Sequence, residues 1–117
     1  MRASFILICG SVMLLLSTFS STTTRAENID TSCTVFLNDV RTMGALFEDI
    51  YLSWAIHQME LQNQMARQQG IATHLIDLDL IDIDTQRKFL LDYCEQNPGH
   101  EFVDGVTLLY DQFPEAK

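Results

Sequence analysis

The residues best suited to bind an ion lie in an acidic segment between positions 77 and 84. Asp77, Asp79, Asp82 and Asp84 bring four carboxylates close together, and hard cations such as Ca²⁺ prefer several oxygen ligands from one short segment. The helix-loop-helix calcium loop requires glycine at its sixth position, where a count from Asp77 finds Asp82. We therefore interpret the aspartates as solvated acids and predict no metal site, with a loose cation site as the alternative.

Neither a metal centre nor a catalytic motif is indicated by the other polar residues. His57 and Glu60 are three positions apart on one predicted helix, and a metal bridging them would need His74 as a third ligand. The spacing is neither H-x-x-x-H nor a known hydrolase motif, so surface or partly buried polar residues are the better interpretation. Ser53 has no G-x-S-x-G setting, and no glycine-rich phosphate loop occurs. We expect no catalytic residue, no cofactor and no enzymatic activity.

The first 26 residues have the pattern of a secretory signal peptide. Arg2 precedes an apolar stretch from Phe5 to Phe19, and Thr24-Arg25-Ala26 offers the small-x-small pattern of a cleavage site. As a helix the stretch would span about 22 Å, short of the roughly 30 Å hydrocarbon core of a bilayer. Cleavage is therefore favoured over an uncleaved anchor. We predict export to the periplasm and one mature domain, residues 27–117, that does not associate with the membrane.

Two cysteines remain in the predicted mature chain, Cys33 and Cys94. Outside the cytoplasm a disulfide between them is the default expectation. Closing a loop of this length contributes roughly 4 kcal/mol of stability on the chain-entropy model. A C-x-x-C motif is absent from the sequence, so we expect no thiol oxidoreductase chemistry.

The charge of the chain limits its partners. Without Arg2 and Arg25, five of the 7 Lys and Arg residues face 16 Asp and Glu residues, which makes a net charge of −11. Such a surface repels nucleic acid and anionic lipid, and basic proteins are its electrostatic complement. Acidity also keeps a small exported protein soluble, which is the simpler interpretation.

The pattern of apolar residues predicts an all-α fold, a small bundle of about four helices tied by one disulfide. The segment Leu75–Asp84 alternates apolar and acidic residues as a strand does, but no partner strand is evident. We interpret it as an extended connection that packs Leu78, Leu80 and Ile83 onto the helices. The predicted helices run from the N-cap candidates Asp30, Thr31 and Ser32 to about Met43, from Ala45 to Gln69, from Thr85 to Gln96 after the N-cap Asp84, and from Glu101 to Phe113.

The longest predicted helix carries the candidate binding residues. Tyr51, Trp54, Met59 and Met65 belong to its apolar stripe, and aromatic and methionine side chains adapt to varied protein surfaces. At helical spacing, packing in the core is the default for such a stripe. Binding of a partner or client would then require the stripe to become exposed, or would use the acidic surface instead.

Three stretches carry a resemblance to a family of small exported bacterial proteins. They are Tyr51-Leu-Ser-Trp-Ala-Ile-His-Gln-Met59 with Asn63, Gln86-Arg-Lys-Phe-Leu-Leu-Asp-Tyr-Cys-Glu-Gln-Asn-Pro98, and Val106 to Tyr110. The layout is similar to that of the HdeA/HdeB-type periplasmic acid-stress chaperones and of the periplasmic immunity proteins that neutralise type VI secretion effectors. Both groups are small, helical and tied by a disulfide.

Two functional hypotheses follow, and both are non-enzymatic. In the first, the protein is an acid-stress chaperone that loses its carboxylate charge below about pH 4 and exposes apolar helix faces to unfolded clients. In the second, it is an immunity protein that binds one basic toxin at neutral pH through a preformed acidic surface. A homodimer is compatible with either.

Overall fold

Residues 31–117 form a bundle of four α-helices in a computed structural model, which describes this part of the chain. The predicted signal peptide and its cleavage site lie outside the described residues. The helices contain 68% of the described residues, and no β-strand occurs within 31–117, which confirms the predicted all-α bundle. The helices are α1 (Cys33–Met43), α2 (Ala45–Gln69), α3 (Ile83–Gln96) and α4 (Phe102–Tyr110).

Two glycines set the ends of α2. Gly44, with φ of 71°, separates α2 from α1, and Gly70, with φ of 69°, ends α2 in the left-handed region. Residues that carry a side chain rarely adopt a positive φ of this size, whereas glycine adopts it freely. Ser32 caps α1 by accepting a hydrogen bond from the backbone N–H of Val35. The predicted bounds of α1 and α2 are confirmed.

The start of α3 was predicted two residues too late. Asp82, rather than Asp84, is the N-cap. Its Oδ1 accepts a hydrogen bond from the backbone N–H of Thr85 at 2.8 Å, and its Oδ2 accepts one from the Thr85 hydroxyl at 2.9 Å. The carboxylate of Asp84 instead pairs with Arg87, 3.1 Å from Nη1.

The connection between α2 and α3 packs with different residues from those predicted. Leu78 and Leu80 are 47% and 52% exposed, whereas Ile76 and Ile81 pack against the core. The chain turns at Asp77, whose carboxylate accepts the Asp79 N–H and whose carbonyl accepts the N–H groups of Leu80 and Ile81. This turn interrupts the alternation on which the prediction rested. Ile83 packs against the core as expected.

The last helix is shorter than predicted. It ends at Tyr110 instead of Phe113, but a turn carries Phe113 back into the core, where it is 2% exposed. The following residues run beside the connection after α2. The Leu75 N–H donates to the Pro114 carbonyl at 2.9 Å, and the Ala116 N–H donates to the Thr73 carbonyl at 2.7 Å.

The predicted disulfide is present between Cys33 and Cys94, with Cα atoms 4.8 Å apart. Both cysteines are fully buried. The bond joins the first turn of α1 to the last turns of α3, as the sequence predicts. Beside it, the backbone N–H of Cys33 donates to the carbonyl of His100 at 2.8 Å, and that of Phe102 donates to Thr31 at 2.8 Å. The N-terminus of α1 is therefore attached to both α3 and the segment before α4.

Candidate protein-binding site

Four aromatic rings from three helices pack together where the N-terminal half of α2 meets α1 and α4. We call Phe36 of α1, Tyr51 and Trp54 of α2, and Phe102 of α4 the aromatic cluster. The centroid of the Phe102 ring lies 4.5 Å from that of Phe36, 5.2 Å from that of Tyr51 and 5.8 Å from that of Trp54. Such contacts add to the large apolar area that aromatic side chains bury. A movement of the N-terminal half of α2 would therefore separate these rings and expose them to solvent.

The four candidate binding residues differ in how accessible they are. Tyr51 and Met59 are buried, with 6% and 0% of their surface exposed, and Met65 is 57% exposed. Trp54 is partly buried and packs against the core. The folded protein therefore presents Met65 and part of Trp54 to solvent, while Tyr51 and Met59 belong to the core. Contact between a client and these two residues requires α2 to move.

A carboxylate joins α2 to α1 at the edge of the aromatic cluster. The hydroxyl of Tyr51 donates a hydrogen bond to Oδ2 of Asp39 at 2.7 Å. Burial of the hydroxyl and its bond to the Asp39 carboxylate raise the pKa of Tyr51 to about 12. The phenol therefore keeps its proton at all physiological pH values and remains the donor. The strength of the bond depends on the charge of Asp39, because an ionised acceptor makes the stronger hydrogen bond.

Carboxylates also join α2 to α3, through Arg87. The guanidinium lies 2.7 Å from Asp49 through Nη2, and 3.3 Å from Glu48 through Nε. The contact with Glu48 is an ion pair without hydrogen-bond alignment, because Nε has no hydrogen-bond partner. With Asp84, three carboxylates surround one cation. The N-terminal half of α2 is thus connected to α1 and to α3 by acidic side chains, whereas its contact with α4 is made by aromatic rings.

The space between these connections and the aromatic cluster is almost filled. Glu48, Arg87, Leu52 and Leu90 line it together with three rings of the cluster, and its cavity volume is about 10 Å³. That volume accommodates at most about one water molecule. No ligand of the size of a side chain fits while the helices are in this arrangement.

The C-terminal half of α2 is held by neutral groups. The Asn63 amide donates to the His74 carbonyl at 2.8 Å, and its oxygen accepts from the His74 N–H at 2.9 Å and the Tyr110 hydroxyl at 2.6 Å. His74 Nδ1 lies 2.5 Å from the Phe113 carbonyl and must donate to it, because a carbonyl only accepts. Protonation of the His74 ring would retain this donor. We call these four residues the Asn63 network.

The sequence did not indicate the role of the Asn63 network. Asn63 enters only through the resemblance, and His74 enters only as the possible third ligand of a metal site that the sequence does not favour. A lone Asn and a lone His carry no spacing signal, since their partners lie 11 and 39 positions further along the chain. Only the fold brings these groups together.

The residues considered for ion binding have other surroundings. His57 and Glu60 are exposed on α2, while His74 belongs to the Asn63 network. In the part of the chain that the structure describes, no group of three or more His, Cys, Asp or Glu residues is placed to hold a metal ion. Asp77 accepts a hydrogen bond from the backbone N–H of Asp79, and Asp82 accepts one from that of Thr85. Of the helices in residues 31–117, none combines the length and the apolar character needed to cross a bilayer.

Comparison with known proteins identifies no relative. No family model, no curated protein and no solved structure matches this chain. The resemblance to HdeA/HdeB-type chaperones and to type VI immunity proteins therefore stays a prediction from the sequence.

Proposed function

We propose that this protein is a non-enzymatic, periplasmic acid-stress chaperone that binds unfolded clients when the pH falls. One observation carries the proposal. The N-terminal half of α2 is connected to α1 and α3 by carboxylates, directly above the aromatic cluster. Loss of carboxylate charge would release the N-terminal half of α2 from α1 and α3. Its movement would expose the rings on both sides of the contact.

The connections that respond to acid are individually weak. The side chain of Arg87 is 28% exposed and that of Asp49 is 64% exposed, and exposed ion pairs contribute roughly 0 to 1 kcal/mol each. Protonation of a single pair would not open the bundle. Opening also requires the repulsion that accumulates when the net charge of residues 27–117 changes from −11 toward about +8, as 16 acids lose charge and 3 histidines gain it.

The remaining contacts would limit the opening to one part of the bundle. The Asn63 network holds the C-terminal half of α2 through donors and acceptors that persist at low pH. The disulfide keeps α1 attached to α3. Acid would therefore separate the N-terminal half of α2 from this pair and expose Phe36, Tyr51 and Trp54 to clients.

The test is a pH titration of the purified protein with a dye that fluoresces on apolar surface, followed by a client-aggregation assay at pH 2 to 3. The protein has one tryptophan, Trp54, so its emission reports directly on the cluster. We expect dye binding, a red shift of the Trp54 emission and protection of the client to appear together below about pH 4. A protein that stays closed in acid, or opens without protecting a client, contradicts the proposal.

Variants of the connections around Arg87 separate local opening from general acid unfolding. Replacing Glu48→Gln and Asp49→Asn removes the charges that pair α2 with Arg87, so the dye should bind at a higher pH than in the unmodified protein. The combination of Glu60→Gln and Asp92→Asn is the matched control, because it also removes two charges, Glu60 is exposed on α2, and Asp92 pairs with Lys88 within α3. An equal shift in both variants would indicate that only the total charge matters.

A further inference from the structure

An apolar groove opens to solvent on the side of the bundle formed by α3, α4 and the connection before α3. Its volume is about 260 Å³. Leu80, Ile81, Phe89 and Leu109 supply its apolar lining, with Asp82 and Gln112 among its polar residues. We call it the α3–α4 groove. Tyr51 and Trp54 do not line it, so it is distinct from the site that acid would open.

The lining of the groove runs from the core to the surface. Leu109 is 1% exposed, Ile81 and Phe89 are partly buried against the core, and Leu80 is 52% exposed. An apolar side chain entering the groove would therefore contact the core without any rearrangement of the helices. It would also cover Leu80, whose exposure otherwise costs free energy in proportion to its apolar area.

The surroundings of the groove are acidic. Asp82 lines it, and Asp77, Asp79 and Asp84 lie on the same connection and the first turn of α3. The two cations of α3 are both paired, Arg87 with Glu48, Asp49 and Asp84, and Lys88 with Asp92. The electrostatic potential around the groove is therefore negative, which favours a positively charged partner.

Size and charge together select the occupant. A volume of about 260 Å³ is below the roughly 300 to 1,000 Å³ typical of small-molecule sites, but it suffices for a bulky side chain. Nucleic acids and anionic lipids are repelled, and so is a second copy of a chain whose net charge is −9. We propose that the α3–α4 groove binds a basic segment of a partner protein, which inserts a leucine or phenylalanine flanked by lysine or arginine.

Such binding goes beyond the proposed chaperone function, because it uses the closed bundle at neutral pH. Two side chains provide a matched pair for testing it. Leu78 and Leu80 have almost equal exposure, 47% and 52%, on the same connection, but only Leu80 lines the groove. Replacement of either exposed leucine by serine leaves the buried core intact.

The experiment is a titration of the isotope-labelled protein at pH 7, followed by the NMR shifts of its backbone amides. Three short synthetic peptides serve as probes: one alternates lysine with leucine and phenylalanine, one has glutamate in place of lysine, and one has serine in place of the apolar residues. Only the first should shift amides in 80–89 and 109–112. Its affinity should fall severalfold when the salt concentration rises from about 0.05 to 0.3 M.

Leu80→Ser should lower the affinity for the lysine-containing apolar peptide about tenfold, the size of effect expected when one well-placed apolar contact is lost. Leu78→Ser should leave it within about twofold. The proposal is overturned if the glutamate or serine peptide binds equally well, if both leucine variants lose the same affinity, or if no peptide shifts these amides. Shifts that depend on protein concentration alone would overturn it by showing that a second copy occupies the groove.

Discussion

Single residues determine how closely α3 and α4 approach each other. A Cβ atom added at Gly105 of α4 would lie 2.6 Å from Cδ1 of Tyr93, whose hydroxyl is hydrogen-bonded to His100 at 2.8 Å. We expect Gly105→Ala to destabilise the protein by about 1 kcal/mol, because overpacking costs about 1 to 3 kcal/mol and alanine regains about 1 kcal/mol of helix propensity. Urea denaturation measures the change.

The control for this substitution is Gly99→Ala. Apart from Gly99 itself and its two chain neighbours, no residue lies within 4 Å of a Cβ added at Gly99, so this variant should unfold at nearly the same urea concentration as the unmodified protein. If Gly105→Ala is equally harmless, the contact between Tyr93 and α4 is not a constraint on packing.

The tyrosine hydroxyls at the two ends of α2 should respond differently to pH. Tyr51 donates to the Asp39 carboxylate and Tyr110 donates to the neutral Asn63 amide. We expect Tyr51→Phe to cost about 1 to 2 kcal/mol at pH 7 and less at pH 3, because a carboxyl acceptor makes a weaker hydrogen bond as its charge decreases. Tyr110→Phe should cost about 1 kcal/mol at both pH values. Urea denaturation at both pH values would reveal parallel losses if the Asp39 bond were insensitive to acid.

At the scale of single elements, the N-cap of α3 should make the stability of the fold depend on pH. Hydrogen bonds from Thr85 lower the pKa of Asp82 below its ordinary value of 3.8. The ionised cap therefore stabilises the fold at pH values above the pKa of the aspartate in the unfolded chain. This contribution is lost as the pH falls through the lowered pKa of the folded protein. Asp82→Ala should reduce the urea midpoint at pH 7 and reduce it less at pH 2, whereas Asp84→Ala should have the smaller effect at pH 7. A larger loss of stability for Asp84→Ala than for Asp82→Ala would show that Asp82 is not the N-cap of α3.

The sequence predicted the elements better than it predicted which side chains they bury. Glycines that end helices, and caps such as Ser32, act over a few neighbouring residues, so α1 and α2 could be located from local patterns. The start of α3 was ambiguous because Asp82 and Asp84 are both good caps. The burial of Ile81 instead of Leu80 depends on a turn at Asp77, which the alternating pattern concealed.

The candidate site could be predicted only in part, for a similar reason. Tyr51 and Met59 were identified from helical spacing, but the same spacing describes residues that face a core. The connections through Arg87 and the Asn63 network join distant segments, so their partners could not be found from sequence spacing. The α3–α4 groove likewise arises where three separate segments meet.

For the molecule as a whole, the disulfide should be the largest single contribution to stability. Replacing both Cys33 and Cys94 by serine should cost on the order of 3 to 5 kcal/mol, because it restores the entropy of a long loop to the unfolded chain. Mass spectrometry should show that the purified protein is about 2 Da lighter than its reduced form. A variant with an unchanged melting temperature would contradict this account of its stability.

The alternative immunity function predicts a different behaviour of the whole molecule. A pull-down from a periplasmic extract at pH 7 should then recover one basic effector in a tight complex that high salt dissociates. The chaperone function predicts that clients bind only in acid, and any partner recovered at pH 7 through the α3–α4 groove should be lost from the Leu80→Ser variant. The same extract tested at pH 3 therefore distinguishes the two functions.

The position of the disulfide has a further consequence for reversibility. The Cys33–Cys94 bond closes residues 33–94 into a covalent ring that contains all of α2. A ring cannot extend as a linear chain does, so a helix that leaves the bundle remains within a short distance of its original position. When acid is neutralised, α2 would return without a long conformational search, and successive acid exposures should leave the same amount of refolded protein.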